Sequence, residues 1–367
     1  MTLRCWSWAS PNRAAGRVTL LVVFILSLLL AACAEPAERG VSSQPTGEVG
    51  PEEEAAEGEL EEVTLAVGGA AAIVYLPTTL AQQLGYYEEE GISANIQDFD
   101  GGSEALQAVL GGSADVVSGF YDHTIQMAAK NQDLTAFVTM LRYPGLVLLA
   151  SPNSEGVESV EDLAGGVVGV SAPGSSTHLF LNYLLSKQDM SQDAVSVTGI
   201  GTTGTAIAAM EQGDVVAGVL VDPAVSQLRS RNPDLTVLAD TRTQEGVQEA
   251  FGTDSYPASV LYARDGWIEE NPETAAGLAR AIQRTLQWIQ EHSPEEIVEQ
   301  MPPQYREEQD IYLEAVENTM AMFSPDGLMQ PEGPEAVLEV LSLSVPEVGD
   351  AEIEVDDTYT NEFVTGG

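Results

Sequence analysis

Apolar and polar positions along the chain fall into short β-rich runs separated by stretches with helical spacing. Val63 to Val67, Ile92 to Gln97, Asp115 to Ser118 and Leu134 to Met140 read as strands. Between them, Tyr75 to Leu84, Ser103 to Leu110 and Tyr121 to Lys130 read as helices, with Gly85 and Gly111 placed where helices stop. The alternation restarts with strands at Val167 to Ser171, Val195 to Gly199, Val215 to Leu220 and Leu235 to Leu238. Helices at Ser175 to Ser186, Thr203 to Glu211 and Pro223 to Arg229 lie between these strands. After a polar interval, Ala258 to Ala263 gives one further strand. From Pro272 the pattern is helical through Trp288, and again from Ile311 to Phe323. Short strands alternating with helices predict an α/β fold with a largely parallel sheet.

An internal echo divides this body into two related lobes. Leu106 to Gly119 and Ile207 to Gly218 both run helix, glycine turn, Asp-Val-Val strand, glycine, allowing a gap of two residues. In open α/β sheets, ligands sit beyond the C-terminal ends of strands beside helix N-termini. Four junctions qualify: Gly68-Gly69 with Tyr75 nearby, Ser118 to Asp122, Gly174 to Thr177, and Asp222 with Pro223. Lobes that face each other would bring all four to one cleft.

Ahead of this body, Arg4, Arg13 and Arg17 precede an uncharged apolar run, Val18 to Ala32. That is short for a membrane span and suits a secretory signal. The run ends in Leu30, Ala31, Ala32 and Cys33, which resembles the bacterial lipobox. This resemblance implies cleavage before Cys33, lipidation of its thiol, and an extracytoplasmic protein anchored to the membrane through lipid alone. Cys5 would leave with residues 1–33, so the mature body holds no cysteine for a disulfide, a nucleophile or a zinc site. Residues 34–62 are rich in Glu, Gly, Pro and Ser and read as a flexible acidic tether with a reach of roughly 30 Å.

Composition narrows the partners. The chain carries 57 Asp+Glu against 14 Lys+Arg, a formal net charge of −43, and its only lysines are Lys130 and Lys187. Nucleic acid and anionic lipid surfaces both need clustered cations that this sequence lacks. Residues 63–367 alone hold 47 acids and ten cations, so the folded surface itself is acidic. Such a surface stays hydrated in concentrated salt and points to a halophilic or halotolerant setting.

The catalytic inventory is thin. His123, His178 and His292 show no metal-ligand spacing, and neither a nucleophile elbow nor a phosphate loop occurs. No catalytic residue, metal or cofactor is expected. The binding inventory is richer. Gly174, Ser175, Ser176 and Thr177 offer backbone N–H groups and three hydroxyls to an anion or an oxygen-rich group, although Ser175 or Ser176 could simply cap its helix. Asp122 and Asp222 stand at equivalent strand ends, where each could bond a ligand amine or ring N–H or cap a helix. Tyr75, Phe120, Tyr121, Tyr143 and Tyr256 fall near strand ends or crossovers, as walls of a cleft or as ordinary core. The candidate ligand set is therefore Gly69, Tyr75, Ser118, Phe120, Tyr121, Asp122, Gly174, Ser175, Ser176, Thr177 and Asp222.

Several segments carry a family resemblance: Leu84 to Ile92, Gly112 to Val117, Ser159 to Gly165 with Val168 to Val170, Gly174 to His178, and Thr358 to Phe363. Together with the lipobox they resemble the substrate-binding lipoproteins of ABC importers, within the nitrate/sulfonate/bicarbonate-type family that includes taurine, alkanesulfonate and thiamine-pyrimidine-precursor binders. The resemblance implies a two-lobed periplasmic-binding-protein type II fold with two crossovers and a ligand cleft between the lobes. Lobe one would comprise 63–143 and 258–367, with the C-terminal helices packed on it, and lobe two 144–257. It further implies a monomeric receptor that closes about a hinge and delivers a small-molecule ligand to a permease with its ATPase. Arg142 and Arg264 are the obvious cations near the crossovers, so a sulfonate-like anion and an aminopyrimidine-like ring both stay open. Two rivals are a pyrimidine-synthase-like enzyme of the same fold, which would use pyridoxal phosphate and a cysteine cluster, and a ligand-sensing ectodomain with a membrane partner.

Overall fold

The computed structural model describes residues 60–365; the signal segment, Cys33 and the tether through residue 59 lie outside the described residues. The strands are β1 (Glu61–Val67), β2 (Ile92–Asp98), β3 (Val116–Phe120), β4 (Leu134–Thr139), β5 (Val147–Ala150), β6 (Val167–Val170), β7 (Ser196–Gly199), β8 (Ala217–Leu220), β9 (Val237–Asp240) and β10 (Ser259–Arg264). They form two five-stranded sheets, ordered β2-β1-β3-β10-β4 and β7-β6-β8-β5-β9. The fold is mixed α/β and two-lobed, and the alternating pattern of the sequence had announced it.

Each sheet repeats one plan. Three strands pair in parallel, with Leu65 beside Val116 in the first and Val168 beside Ala217 in the second. A fourth, antiparallel strand then enters from across the chain's crossover: β10 lies against β3 and β4, and β5 against β8 and β9. The echoed segments occupy equivalent places, because β3 and β8 are both third in their sheets. Each follows a helix (Gly102–Leu110 or Gly204–Gln212) that ends in a left-handed glycine, Gly112 at φ 73° or Gly213 at φ 76°. Only glycine adopts that conformation without penalty, which explains the shared turn.

The first sheet's core is continuous through Leu65, Val116, Val117, Phe137, Val260 and Leu261, all within 0–3% exposure. The two crossovers run side by side. Leu146 N–H donates to Thr241 Oγ1 at 2.9 Å and Thr241 N–H to the Leu146 carbonyl at 3.0 Å, while Ala258 N–H donates to Leu141. A paired double strand of this kind can flex as one hinge.

Two features depart from the sequence reading. Strand β5 and the helix Gln244–Phe251 arise in stretches for which the sequence pattern predicts no element. The C-terminal helices also do not all pack on the first lobe. Pro272–Glu291 lies on the helices Leu76–Gln83 and Tyr86–Glu89, but Gln309–Thr319 packs against Ala224–Arg231, and Glu332–Ser344 against Ser176–Lys187 as well as Asp122–Ala128. The apolar stripes of these helices need a partner face, and the second lobe offers one as readily as the first.

Candidate functional site

The C-terminal ends of strands from both sheets meet at a seam between the lobes. Glycines set its closeness. A β-carbon on Gly69 (φ 101°) would fall 2.3 Å from Thr202 Oγ1, and one on Gly101 would fall 2.7 Å from the Ala172 β-carbon. The Gly69 and Ala70 amides are held by Asp98 Oδ1, which fixes the loop after β1.

Polar contacts then bridge the seam. Ser103 N–H donates to Ser175 Oγ at 2.9 Å, so the N-terminal turns of helices Gly102–Leu110 and Ser176–Lys187 meet head to head. Ile73 N–H donates to the Asp222 carbonyl at 2.9 Å. Ser176 Oγ donates to Asp122 Oδ1 at 2.8 Å, with both residues buried. Burial pushes the Asp122 carboxyl up to about 7, although the Ser176 hydroxyl and the His123 amide pull it down.

Aromatic rings enclose Asp122. Tyr75 and Phe120 meet edge to face at 6.1 Å, and Tyr75, Tyr256 and Tyr262 are each raised by burial first and by the Asp122 charge among further causes. His123 is fully buried; its Nδ1 lies 3.1 Å from the Tyr262 hydroxyl, and burial pulls its imidazole down to about 4. Its Nε2 has no hydrogen-bond partner, nor has Ser259 Oγ, which belongs to the residue paired with Phe120 across β10 and β3. Beside the seam a cavity of about 650 Å³ takes walls from both lobes, including Ser103, Met127, Lys130, Pro173 and Gly174.

The candidates from the sequence divide in two. Gly69, Tyr75, Phe120, Asp122, Ser175 and Ser176 lie together at or against the seam. Tyr121 does not: its hydroxyl bonds Thr358 Oγ1 and its ring packs edge-on to Tyr359, inside the first lobe. Ser118 Oγ bonds Thr78 Oγ1 at 2.7 Å with no exposure. Thr177 Oγ1 turns back to Ser171, while Gly174 stays at the seam: a β-carbon there would lie 3.6 Å from that of Ser103, and its N–H donates to His178 Nδ1.

Asp222 is engaged twice over. Its Oδ1 accepts from the Ser226 amide and hydroxyl, which caps the helix Ala224–Arg231, and its Oδ2 pairs with Arg242 at 3.0 Å. Arg242 also forks onto Asp240 at 2.6 Å and is 8% exposed. The sequence reading passed over Arg242 and named Arg142 and Arg264. Arg142 instead binds the Ala321 carbonyl and covers Tyr143, while Arg264 is exposed at the end of β10 that pairs with Leu134. The available signal was the spacing Asp240-Thr241-Arg242 at the end of a strand.

Paired sheets of repeated topology, strand ends facing across a seam and a hydrogen-bonded double crossover define a two-lobed α/β fold of the periplasmic binding-protein type. Solved structures agree. A protein of Bordetella bronchiseptica RB50 is 37% identical, with 84% of this chain and 96% of that one covered and a TM-score of 0.80. The alkanesulfonate-binding protein SsuA of Xanthomonas axonopodis pv. citri, bound to MOPS, shares the fold at 16% identity, TM-score 0.65, over 83% of this chain and 99% of that one. Residues 73–297 match the family described as NMT1/THI5 like, and the chain belongs to that family. Among relatives, the riboflavin-binding protein RibY of Chloroflexus aurantiacus is 25% identical over 96% of this chain and 98% of its own length. The 4-amino-5-hydroxymethyl-2-methylpyrimidine phosphate synthase of Legionella pneumophila is 26% identical over 71% of this chain and 80% of its own.

Proposed function

We propose that this protein is an extracytoplasmic solute receptor of an ABC importer, lipidated at Cys33, which captures a small heteroaromatic ligand between its lobes and presents the closed form to a permease. The observation that carries the reading is the Asp122–Ser176 contact, which joins the third strand end of one lobe to a helix start of the other. A ligand placed there would be held by both lobes at once, so binding and hinge closure become one event. The proposed lobes are 63–143 with 258–367, and 144–257.

Between a ring and an anion, the charges favour the ring. Arg242 already faces two carboxylates, Lys130 stands on the wall of the seam cavity, and Asp122 adds acid where an anion would sit. The name of the RibY relative, which spans nearly all of this chain, points the same way. A synthase role is disfavoured, since residues 34–367 contain no cysteine from which to build the cluster that chemistry calls for. Calorimetry of the full chain in detergent with riboflavin, 4-amino-5-hydroxymethyl-2-methylpyrimidine and MOPS tests the reading. Saturable one-to-one binding without turnover supports a receptor, whereas conversion of any ligand to product overturns it.

A further inference from the structure

We propose that Asp122 is the specificity-determining residue of the cleft and that its carboxyl group pairs with the edge of a planar heterocycle presenting a hydrogen-bond donor beside an acceptor. This rests on the receptor reading and names the ligand edge that the cleft selects. An N–H next to a carbonyl, or a ring nitrogen next to an amino group, both fit a carboxyl group that donates through one oxygen and accepts through the other. An aliphatic sulfonate does not.

The geometry supports this assignment. Asp122 opens the helix Asp122–Ala128 at 5% exposure, and the Ser176 hydroxyl from the opposite lobe occupies its Oδ1. Opening the seam withdraws that hydroxyl and leaves the carboxyl free to meet a ligand edge. Tyr75 and Phe120, at right angles beside it, supply flat apolar surface for a ring. Two buried polar atoms without partners, His123 Nε2 and Ser259 Oγ, lie on elements adjoining the same strand end.

Among the described residues, Lys130 acts on the neighbouring His123, and no cation is paired with Asp122. The groups that face Asp122 are Tyr75 from the turn after β1, Tyr256 from the return crossover, Tyr262 from β10 and Ser176 from the second lobe. His123, next on its own helix, is held neutral by burial. Each tyrosine is raised by burial and stays protonated at ordinary pH. Burial in the closed seam pushes the carboxyl up to about 7, so a ligand that needs its donor is expected to bind more weakly as pH rises through that range.

The test is calorimetry of the full chain at pH 6 and pH 8 with riboflavin, 4-amino-5-hydroxymethyl-2-methylpyrimidine and MOPS. At least one ring probe is expected to bind roughly tenfold more tightly at pH 6 than at pH 8. Asp122→Asn keeps a donor beside an acceptor and should bind that probe with no pH dependence. Asp122→Ala should lose tenfold or more at pH 6, and riboflavin methylated at its ring imide nitrogen should not bind. Ring binding unchanged in Asp122→Ala overturns the assignment of Asp122 and leaves the receptor reading standing. Binding of MOPS alone overturns the edge-recognition proposal and keeps a receptor for anions. Saturation by no probe overturns the ring class.

Discussion

Substituting Gly101 with alanine separates closure of the lobes from their folding. Gly101 has φ −163° and ψ 166°, extended backbone that alanine adopts without strain. The added methyl would lie 2.7 Å from the Ala172 β-carbon, 3.0 Å from the Ala172 nitrogen and 3.1 Å from Ser175 Oγ. All three atoms belong to the opposite lobe, so only the closed state is penalised. Carbon atoms settle at about 3.5–4.0 Å, so the methyl intrudes by roughly 1 Å. Overpacking of that kind costs about 1–3 kcal/mol, which moves the balance toward the open form by about 5- to 150-fold. Hydrogen exchange reads this without any ligand, because the Ser103 and Ile73 amides are both bonded across the seam. Peptides covering them should exchange faster by that factor, while peptides covering β3 stay protected. Adding Ala172→Gly should restore much of the protection. Unchanged exchange at Ser103 and Ile73, or equal acceleration in β3, would refute the steric argument.

Four further outcomes follow from the same geometry. Arg242→Leu strands Asp222, at 1% exposure, without its cation; a loss of about 3 kcal/mol is expected, roughly a 5 °C fall in melting temperature for a body of this size, with partial recovery in Arg242→Leu/Asp222→Asn. That deficit should persist in high salt, since a buried pair is poorly screened, and its disappearance there would place the pair at the surface. Asp122 has its carboxyl raised from 3.8 to about 7, so the stability it confers is complete at low pH and falls away as pH rises through 7. Asp122→Asn should therefore gain stability on the order of 4 kcal/mol over the wild type between pH 4 and pH 8 in denaturant titrations, and parallel pH profiles would count against a buried carboxyl. Tyr121→Phe removes the hydroxyl bonded to Thr358 and should cost about 1 kcal/mol in thermal unfolding with no change in probe affinity; a tenfold affinity loss would move Tyr121 to the seam. With a net charge of −43, the melting temperature should climb between 0.1 M and 2 M KCl, and a flat profile would remove the halophilic reading.

What the sequence disclosed depended on how local each signal was. Strands such as Ile92–Asp98 and the glycine-closed helices are short-range patterns, and they stand close to where they were read. Strand β5 was passed over because Val147–Ala150 is buried at every position, giving no alternation, and lies inside a crossover. Helix Gln244–Phe251 carried readable marks that were missed: a Thr243 cap bonding the Gly246 amide, Val247 and Ala250 on one face, and Gly252 at φ 75°. The inward turn of Tyr121 was not legible, because Tyr121 follows the last residue of β3 with helical backbone angles and its partner Thr358 is distant in sequence. The Arg242–Asp222 pair was not legible. It joins residues twenty apart in sequence, past the ends of β8 and β9, which are not neighbours in the sheet because β5 lies between them.

The two aspartates show how far an internal repeat can be trusted. Asp122 and Asp222 each stand two residues past the third strand of their sheet, at the start of the following helix, so topology alone gives them one role. Their surroundings give them two. Around Asp222, the Ser226 amide and hydroxyl take one oxygen and the Arg242 guanidinium the other, so a buried charge is fully compensated and bound into the helix start. Around Asp122 there is a single hydroxyl from the opposite lobe, the adjacent His123 amide and a shell of tyrosines, and burial prevails over both hydrogen bonds. A compensated carboxylate has no reason to change partner when the lobes separate. An under-compensated one loses its only contact across the seam and gains most from a ligand that replaces it. Environment rather than position therefore separates the two aspartates, binding Asp222 into the helix start and leaving Asp122 as the one proposed for recognition. The same comparison predicts that exchanging Ser176 for alanine weakens closure at Asp122 while leaving the Asp222 ion pair intact.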